Sequence, residues 1–104
     1  MELPEIKKVQ IGELTFPVIY STRCNMEYKA MTGEDLPSFK TTELQAQWFY
    51  CMAKAGARSE AKRTGIPFSF HSFEEFLDLI DDYYPEWVIN FSKALEKPGG
   101  DEKK

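Results

Sequence analysis

The segment that most constrains the fold is Thr42–Ala55, which reads TELQAQWFYCMAKA. Its apolar residues recur at i, i+4, i+7, i+8 and i+11, a spacing that places side chains on one face of an α-helix. These residues are Leu44, Trp48, Cys51, Met52 and Ala55. Phe49 and Tyr50 widen this face, so we expect the helix to lie at the centre of the core. It begins at Thr41 or Thr42, and Thr42 with Gln45 fits a capping box.

The stretch from Gly56 to Gly65, GARSEAKRTG, is polar and is bounded by glycines. This composition is compatible with either a frayed helix end or a mobile loop. Basic residues gather around it, interrupted by Glu60 and without an aromatic residue among them, so we interpret them as a solvated helix end. They are Lys54, Arg58, Lys62 and Arg63. Ile66, Phe68 and Phe70 then alternate with small or turn residues and predict a short extended arm.

The N-terminal third predicts a β-hairpin followed by a helix. IKKVQI and LTFPVIY flank Gly12-Glu13, and residues 14, 16, 18 and 20 alternate onto one face. Pro17 cannot donate to a strand ladder, so its strand lies at an edge or carries a bulge. A helix capped by Ser21 or Thr22 and stopped by Gly33 comes next.

The C-terminal third predicts two further helices. Ser72 and Glu75 form a capping box, and an apolar stripe follows at i, i+3, i+4 and i+7. Pro85 fits the first position of the last helix, which ends near Leu95. We therefore predict an α+β fold dominated by its helices, with an N-terminal hairpin packed on about four helices. Residues 1–96 form one globular domain, and the polar residues 97–104 form a disordered tail.

Composition and charge exclude several classes of function. A formal charge of −4 and a pI near 5.0 argue against nucleic-acid binding, which needs clustered Lys and Arg. No segment reaches the ~20 apolar residues of a membrane span, so we expect no membrane partner. The N-terminus MELPEIKK lacks a signal-peptide core, which predicts a cytosolic protein. Cys24 and Cys51 are expected to be two buried thiols rather than a disulfide.

The region Phe68–Trp87, FSFHSFEEFLDLIDDYYPEW, surrounds the single histidine with carboxylates and aromatic residues. Its carboxylates at i, i+4, i+7 and i+8 form an acidic stripe opposite the apolar stripe of the helix. These four residues are Glu74, Asp78, Asp81 and Asp82. The stripe is either a solvated face or a docking surface for a basic partner.

Catalytic and metal-binding interpretations of this region find little support in the sequence. Zinc would require several His or Cys, and His71 is the single histidine, which we interpret as a structural neighbour of Phe76. No fixed acidic loop of the EF-hand type and no G-x-S-x-G or Gly-rich phosphate loop is present. We therefore predict a protein that is not an enzyme and uses no metal or cofactor.

The aromatic residues around this helix exceed what a small core is expected to absorb. They are Phe68, Phe70, Tyr83, Tyr84 and Trp87. Because uncovered apolar surface often marks an interface, we expect these five residues and the acidic stripe to bind a partner protein. A weak homo-oligomer is a second expectation from the same surface.

The order of these elements resembles the short tail assembly chaperones of long-tailed bacteriophages and related prophages. The resemblance covers residues 6–95 and includes the hairpin VQIGELTFPVIYST, a helix ending in MTGEDL, the helix TTELQAQWFYCMAKAG and the acidic helix SFEEFLDLID. The segment GARSEAKRTGIPFSF is longer than the family pattern needs, and the pattern contains no invariant chemical motif.

The resemblance implies a function in virion assembly. Chaperones of this family bind the tape-measure protein and the tail tube protein in the cytoplasm of the bacterial host and keep them soluble before the tail polymerises. The sequence leaves two other classes open: a small cytosolic adaptor or regulatory module that binds one folded protein, and an enzyme subunit without its own active site.

Overall fold

A computed structural model describes residues 6–35, 37 and 40–95. Its elements in chain order are β1 (Lys7–Ile11), β2 (Leu14–Val18), α1 (Thr22–Thr32), α2 (Thr42–Thr64), α3 (Phe73–Asp81) and α4 (Glu86–Leu95). The fold is therefore α+β and dominated by helices, with an N-terminal hairpin and four helices, as predicted. The predicted disordered tail, residues 97–104, lies outside the described residues.

Helix α2 is the central element, as its apolar face predicts. Over the stretch from position 46 to position 56 nearly every side chain is buried, so the helix is surrounded by other elements. The helix continues to Thr64 and stops at Gly65, which adopts φ 74°. The expectation of a frayed end or loop from Gly56 onward was therefore wrong, because Ala, Arg, Glu and Lys in this stretch all favour helix.

The start of α2 differs from the predicted capping box. Thr41 is the N-cap, and its hydroxyl accepts a hydrogen bond from the Leu44 amide at 3.1 Å. The third helical residue is then Leu44, whose apolar side chain cannot return a hydrogen bond to the cap. The cap thus lies one residue before Thr42, and Gln45 instead donates its backbone amide to the Thr41 carbonyl.

Strands β1 and β2 pair antiparallel around a two-residue turn at Gly12 and Glu13, with Ile11 opposite Leu14. Gly12 has φ 58°, a conformation that favours glycine in this turn, and a Cβ there would lie 2.3 Å from Cε1 of Tyr83 and would displace that ring. Since bonded and non-bonded pairs alternate from the turn, Pro17 lies at a non-bonded position opposite Lys8. This explains how the ladder accommodates a proline.

The predicted alternation of β2 stops before Tyr20. Phe16 and Val18 point inward, but Ile19 is buried as well and Tyr20 is 57% exposed. The cause is a hydrogen bond from the Ile19 amide to the Met52 carbonyl of α2, at 3.2 Å. The chain leaves the β-ladder after Val18 to make this bond. As a result Ile19 points into the core and Tyr20 points to solvent.

Helices α3 and α4 close the core from the other side. The capping box of Ser72 and Glu75 is present in both directions, as predicted. Helix α4 begins at Glu86, one residue after Pro85, and packs over β1. There the Asn90 side-chain amide donates to the Gln10 carbonyl at 2.6 Å. The carboxylate of Glu86 accepts the amide of Gly12 at 3.1 Å.

A first prediction concerns Gly56, where α2 approaches the backbone of β2. A Cβ at this position would lie 2.1 Å from the carbonyl oxygen of Pro17 and 2.9 Å from the amide nitrogen of Val18. Gly56→Ala should therefore lower the free energy of unfolding by about 1–3 kcal/mol through overpacking, although alanine favours helix. Urea unfolding measures it. Ser59→Ala, one turn later, is the control and should change stability little; a more stable Gly56→Ala variant would contradict the contact.

A second prediction concerns Phe76, which is fully buried and contacts the rings of Phe16, Phe49 and Tyr50. Phe76→Ala should lower the free energy of unfolding by about 3–5 kcal/mol because a cavity is left among these rings. Asp78→Ala on the exposed side of α3 is the control. Chemical unfolding of both variants tests the assignment, and similar losses in the two would argue against it.

Candidate protein-binding groove

A groove of about 330 Å³ opens between the start of α2, one face of α3 and the start of α4. It is lined by Thr42, Glu43, Ala46, Phe73, Glu74, Leu77, Ile80, Asp81, Tyr84 and Trp87. We call it the acidic groove. Three separate helices build it, so its shape depends on their packing around the core.

The floor of the acidic groove is apolar. Ala46, Ile80 and Trp87 are buried beneath it, and Phe73 and Leu77 are partly buried on its sides. Covering apolar surface that is open to solvent with other apolar side chains lowers the free energy. The groove can therefore take up side chains of a partner.

The rim of the acidic groove carries the exposed carboxylates of Glu43, Glu74 and Asp81. Glu43 and Glu74 lie in the first turns of α2 and α3, where the helix dipole favours negative charge. Asp81 is the last residue of α3, where the dipole disfavours it. Within the described part of the chain none of the three forms an ion pair. These charges therefore remain available to a basic partner.

The structure divides the predicted acidic stripe into two pairs. All four carboxylates are exposed, but only Glu74 and Asp81 line the groove. Asp78 and Asp82 point elsewhere, and Asp82 is the C-cap residue of α3. Glu43 was missed by the sequence analysis, because no spacing along the chain relates the start of α2 to α3.

The five predicted aromatic residues do not form one exposed surface. Trp87 is only 3% exposed and belongs to the core below the groove, whereas Tyr84 is 58% exposed beside it, with 6.5 Å between the two rings. Tyr83 is half-buried over the Gly12 turn. The excess aromatic area expected from composition is thus largely absorbed, and Tyr84 is the member that stays open to solvent.

Phe68 and Phe70 lie in the segment between α2 and α3, which belongs to no helix or strand. The Arg58 guanidinium stacks 4.2 Å from the ring centre of Phe68. Phe70 packs against Tyr50 and Phe76, with ring centres 5.7 and 6.1 Å apart. Both residues hold this segment against the helices, and neither lines the acidic groove.

The predicted basic helix end is only partly solvated. Lys54 and Arg58 are half-buried and lie 3.7 and 3.8 Å from the carboxylate of Glu27 on α1. Lys62 and Arg63 are exposed. The first two basic residues therefore join α1 to α2, and the last two remain at the surface.

His71 is exposed, and its ring lies beside Phe70, at 5.3 Å, rather than beside Phe76 as expected. Its backbone carbonyl accepts a hydrogen bond of 2.7 Å from the Tyr50 hydroxyl. That bond gives the hydroxyl of the buried Tyr50 a partner, and it holds the backbone in place just before the α3 cap. The position of His71 thus has a structural explanation.

The two cysteines are free and buried, as expected. Burial raises the pKa of the Cys24 thiol to about 12, and burial likewise raises the pKa of Cys51 to about 12. The Cys51 thiol donates a weak hydrogen bond to the Met31 sulfur at 3.6 Å. A thiol that stays protonated is a poor nucleophile.

Metal sites and membrane spans are two features that residues 6–35, 37 and 40–95 do not contain. No group of three or more His, Cys, Asp and Glu residues in these ranges is arranged to hold a metal ion. No helix in these ranges is both long enough and apolar enough to cross a membrane.

Comparison of the chain with protein-family models, with curated proteins and with solved structures found no match.

A third prediction follows from the thiols. At pH 8 a pKa of about 12 keeps both thiols protonated, so the native protein should react with a disulfide reagent far more slowly than the protein in urea. Thiol release measured by absorbance tests this; rapid reaction of one equivalent under native conditions would place a cysteine at the surface.

The same shift predicts a pH dependence. Unfolded thiols ionise near 9.0 and folded ones near 12, so the unfolded state loses protons first between these values. The free energy of unfolding should therefore be unaffected by the thiols below pH 9. Between pH 9 and about 12 the free energy of unfolding should fall as pH rises, by on the order of 1 kcal/mol per pH unit for each thiol, and urea unfolding at several pH values measures it.

Proposed function

We propose that the protein is a non-enzymatic tail assembly chaperone that binds the tape-measure protein, and with it the tail tube protein, before tail polymerisation. The observation that carries the proposal is the acidic groove, whose apolar floor is surrounded by the exposed carboxylates of Glu43, Glu74 and Asp81, which form no ion pair with the described residues. Such a groove suits an amphipathic segment of a partner. The resemblance of the element order to tail assembly chaperones supplies the identity of that partner.

Binding would combine two physical effects. Apolar side chains on one face of a partner helix would cover Leu77, Phe73 and the open ring of Tyr84. Basic side chains beside them would face the carboxylates of the rim, which speeds encounter and selects against acidic partners. Shielding apolar helices of a long, unassembled protein in this way is what an assembly chaperone in the bacterial cytoplasm needs to do.

A small adaptor that binds one folded protein is the alternative function. The same groove would serve it, since helix-in-groove recognition is used by adaptors as well. The partner distinguishes the two functions: a tape-measure gene immediately downstream of this gene, and binding of its unassembled product, favour the chaperone.

A fourth prediction tests the groove with two matched pairs of charge reversals on α3. Glu74→Lys with Asp81→Lys alters the rim, and Asp78→Lys with Asp82→Lys alters exposed carboxylates outside the groove. The rim variant should bind the tape-measure protein about tenfold more slowly at low salt, and the difference should shrink as salt is raised. The control variant should bind nearly as the unaltered protein does.

Co-expression with the tape-measure protein provides the measurement, with the soluble fraction of that protein as the readout and surface plasmon resonance for the rate. Circular dichroism checks that both variants fold, with a small loss expected at Glu74, where the helix dipole favours an acid. If a folded rim variant keeps the tape-measure protein as soluble as the control does, the carboxylates are a solvated face and not a docking surface.

A further inference from the structure

The end of α2 presents an apolar side chain that packing within the chain does not use. Gly65 adopts a left-handed conformation, and its amide donates to the Ala61 carbonyl as in an αL helix cap, while the Ile66 amide donates to the same carbonyl as in a Schellman motif. The apolar residue after such a glycine normally packs back on the last turn of the helix. Here Ile66 is 63% exposed, so most of its side chain stays open to solvent.

Basic residues stand beside Ile66. Lys62 and Arg63 in the last turn of α2 are exposed, and within the described ranges neither forms an ion pair. The hydrogen bonds to Ala61 and the stacking of Phe68 under Arg58 hold the segment in place. We call residues 62–67 the basic tip. It is a fixed apolar projection with two positive charges.

The basic tip and the acidic groove lie at opposite ends of the same helix. Glu43 in the first turn of α2 contributes to the groove, and Lys62 and Arg63 occupy its last turn. A helix of 23 residues is roughly 35 Å long at 1.5 Å per residue. One end of the molecule therefore carries a negative rim around an apolar hollow, and the other carries positive charges around an apolar projection.

We propose that the basic tip of one copy docks in the acidic groove of a second copy, so that molecules associate head to tail. Ile66 would cover the apolar floor, and Lys62 and Arg63 would face Glu74 and Asp81. Such an interface joins two different surfaces, and it generates rings or open chains rather than a closed symmetric dimer. The inference rests on the opposite charges of the two surfaces and on their exposed apolar residues, and it is independent of the tape-measure partner.

The helix dipole alone would explain acidic residues at the start of α2 and basic residues at its end. It does not explain an exposed isoleucine beside the basic residues, nor Asp81 at the unfavourable end of α3. Docking of a second copy accounts for both features, because Ile66 belongs to the surface of one copy and Asp81 to the facing surface of the other. The groove is also the surface proposed for the partner, so self-association would be displaced when the partner binds.

The experiment uses two variants in which charge is removed rather than reversed, so that no exchanged ion pair can form. The groove variant is Glu74→Gln with Asp81→Asn. The tip variant is Lys62→Gln with Ile66→Ser, which leaves the groove intact. Sedimentation velocity over a wide concentration range should give a mass for the unaltered protein that rises above the 12.1 kDa monomer. Each variant alone should remain a monomer.

Mixing the two variants in equal amounts is the decisive step. The groove variant still has its tip, and the tip variant still has its groove. The tip of the first can therefore dock in the groove of the second, and no further molecule can add. The mixture should reach twice 12.1 kDa and go no further. An unaltered protein that stays monomeric throughout overturns the inference, as does a mixture that stays monomeric or that grows beyond a dimer.

The two proposals fail in distinguishable ways. The tip variant should still keep the tape-measure protein soluble, because its groove is unchanged. If the unaltered protein is monomeric but the groove variant loses the tape-measure protein, the head-to-tail inference fails and the proposed function stands. If the head-to-tail dimer forms but the groove variant keeps the tape-measure protein soluble, the proposed function fails and the head-to-tail inference stands.

Discussion

The contacts of a single ring, that of Phe49, join the elements of this fold. It stacks on Phe91 at 4.6 Å and on Trp87 at 5.7 Å, and it meets Phe16 and Phe76 edge to face. These four partners come from α4, β2 and α3, so one fully buried side chain of α2 connects three other elements. Aromatic pairs of this kind add about 0.5–1.5 kcal/mol each beyond the area they bury.

The packing of this core sets the geometry of the acidic groove. Trp87 lines the groove, and its ring also stacks on Phe49 in the core. The positions of α3 and α4 relative to α2 are thus set by the same contacts that stabilise the fold. The walls of the acidic groove are therefore positioned by the packing of the core.

Local sequence patterns predicted most of the fold because they depend on near neighbours. The Ser72 cap, the stripe of α3 and the Gly33 stop each involve residues within one or two turns, and the structure contains all three. The same reasoning failed where a distant group intervenes: the Met52 carbonyl draws Ile19 out of the ladder and leaves Tyr20 exposed.

The candidate site was predictable only in part, for the same physical reason. Glu74 and Asp81 belong to one helix, and their spacing marks them as a stripe. The assignment of Glu43 to the same rim, and of Trp87 to the core, depends on how α2, α3 and α4 pack. Neither spacing nor composition reports that packing, since it arises from rings that are far apart along the chain.

The hydrogen bonds between α4 and the hairpin have a consequence for synthesis. Asn90 is 80 residues from the Gln10 carbonyl to which it donates, and Glu86 is 74 residues from the Gly12 amide that it accepts. As the chain leaves the ribosome, β1 emerges first, and it gains these partners only when α4, the last helix described, has also emerged. Until then one edge of the hairpin exposes unpaired backbone groups, the kind of edge at which chains aggregate. The order of translation therefore leaves these groups of the N-terminal hairpin without their partners until nearly all of the described chain has been made.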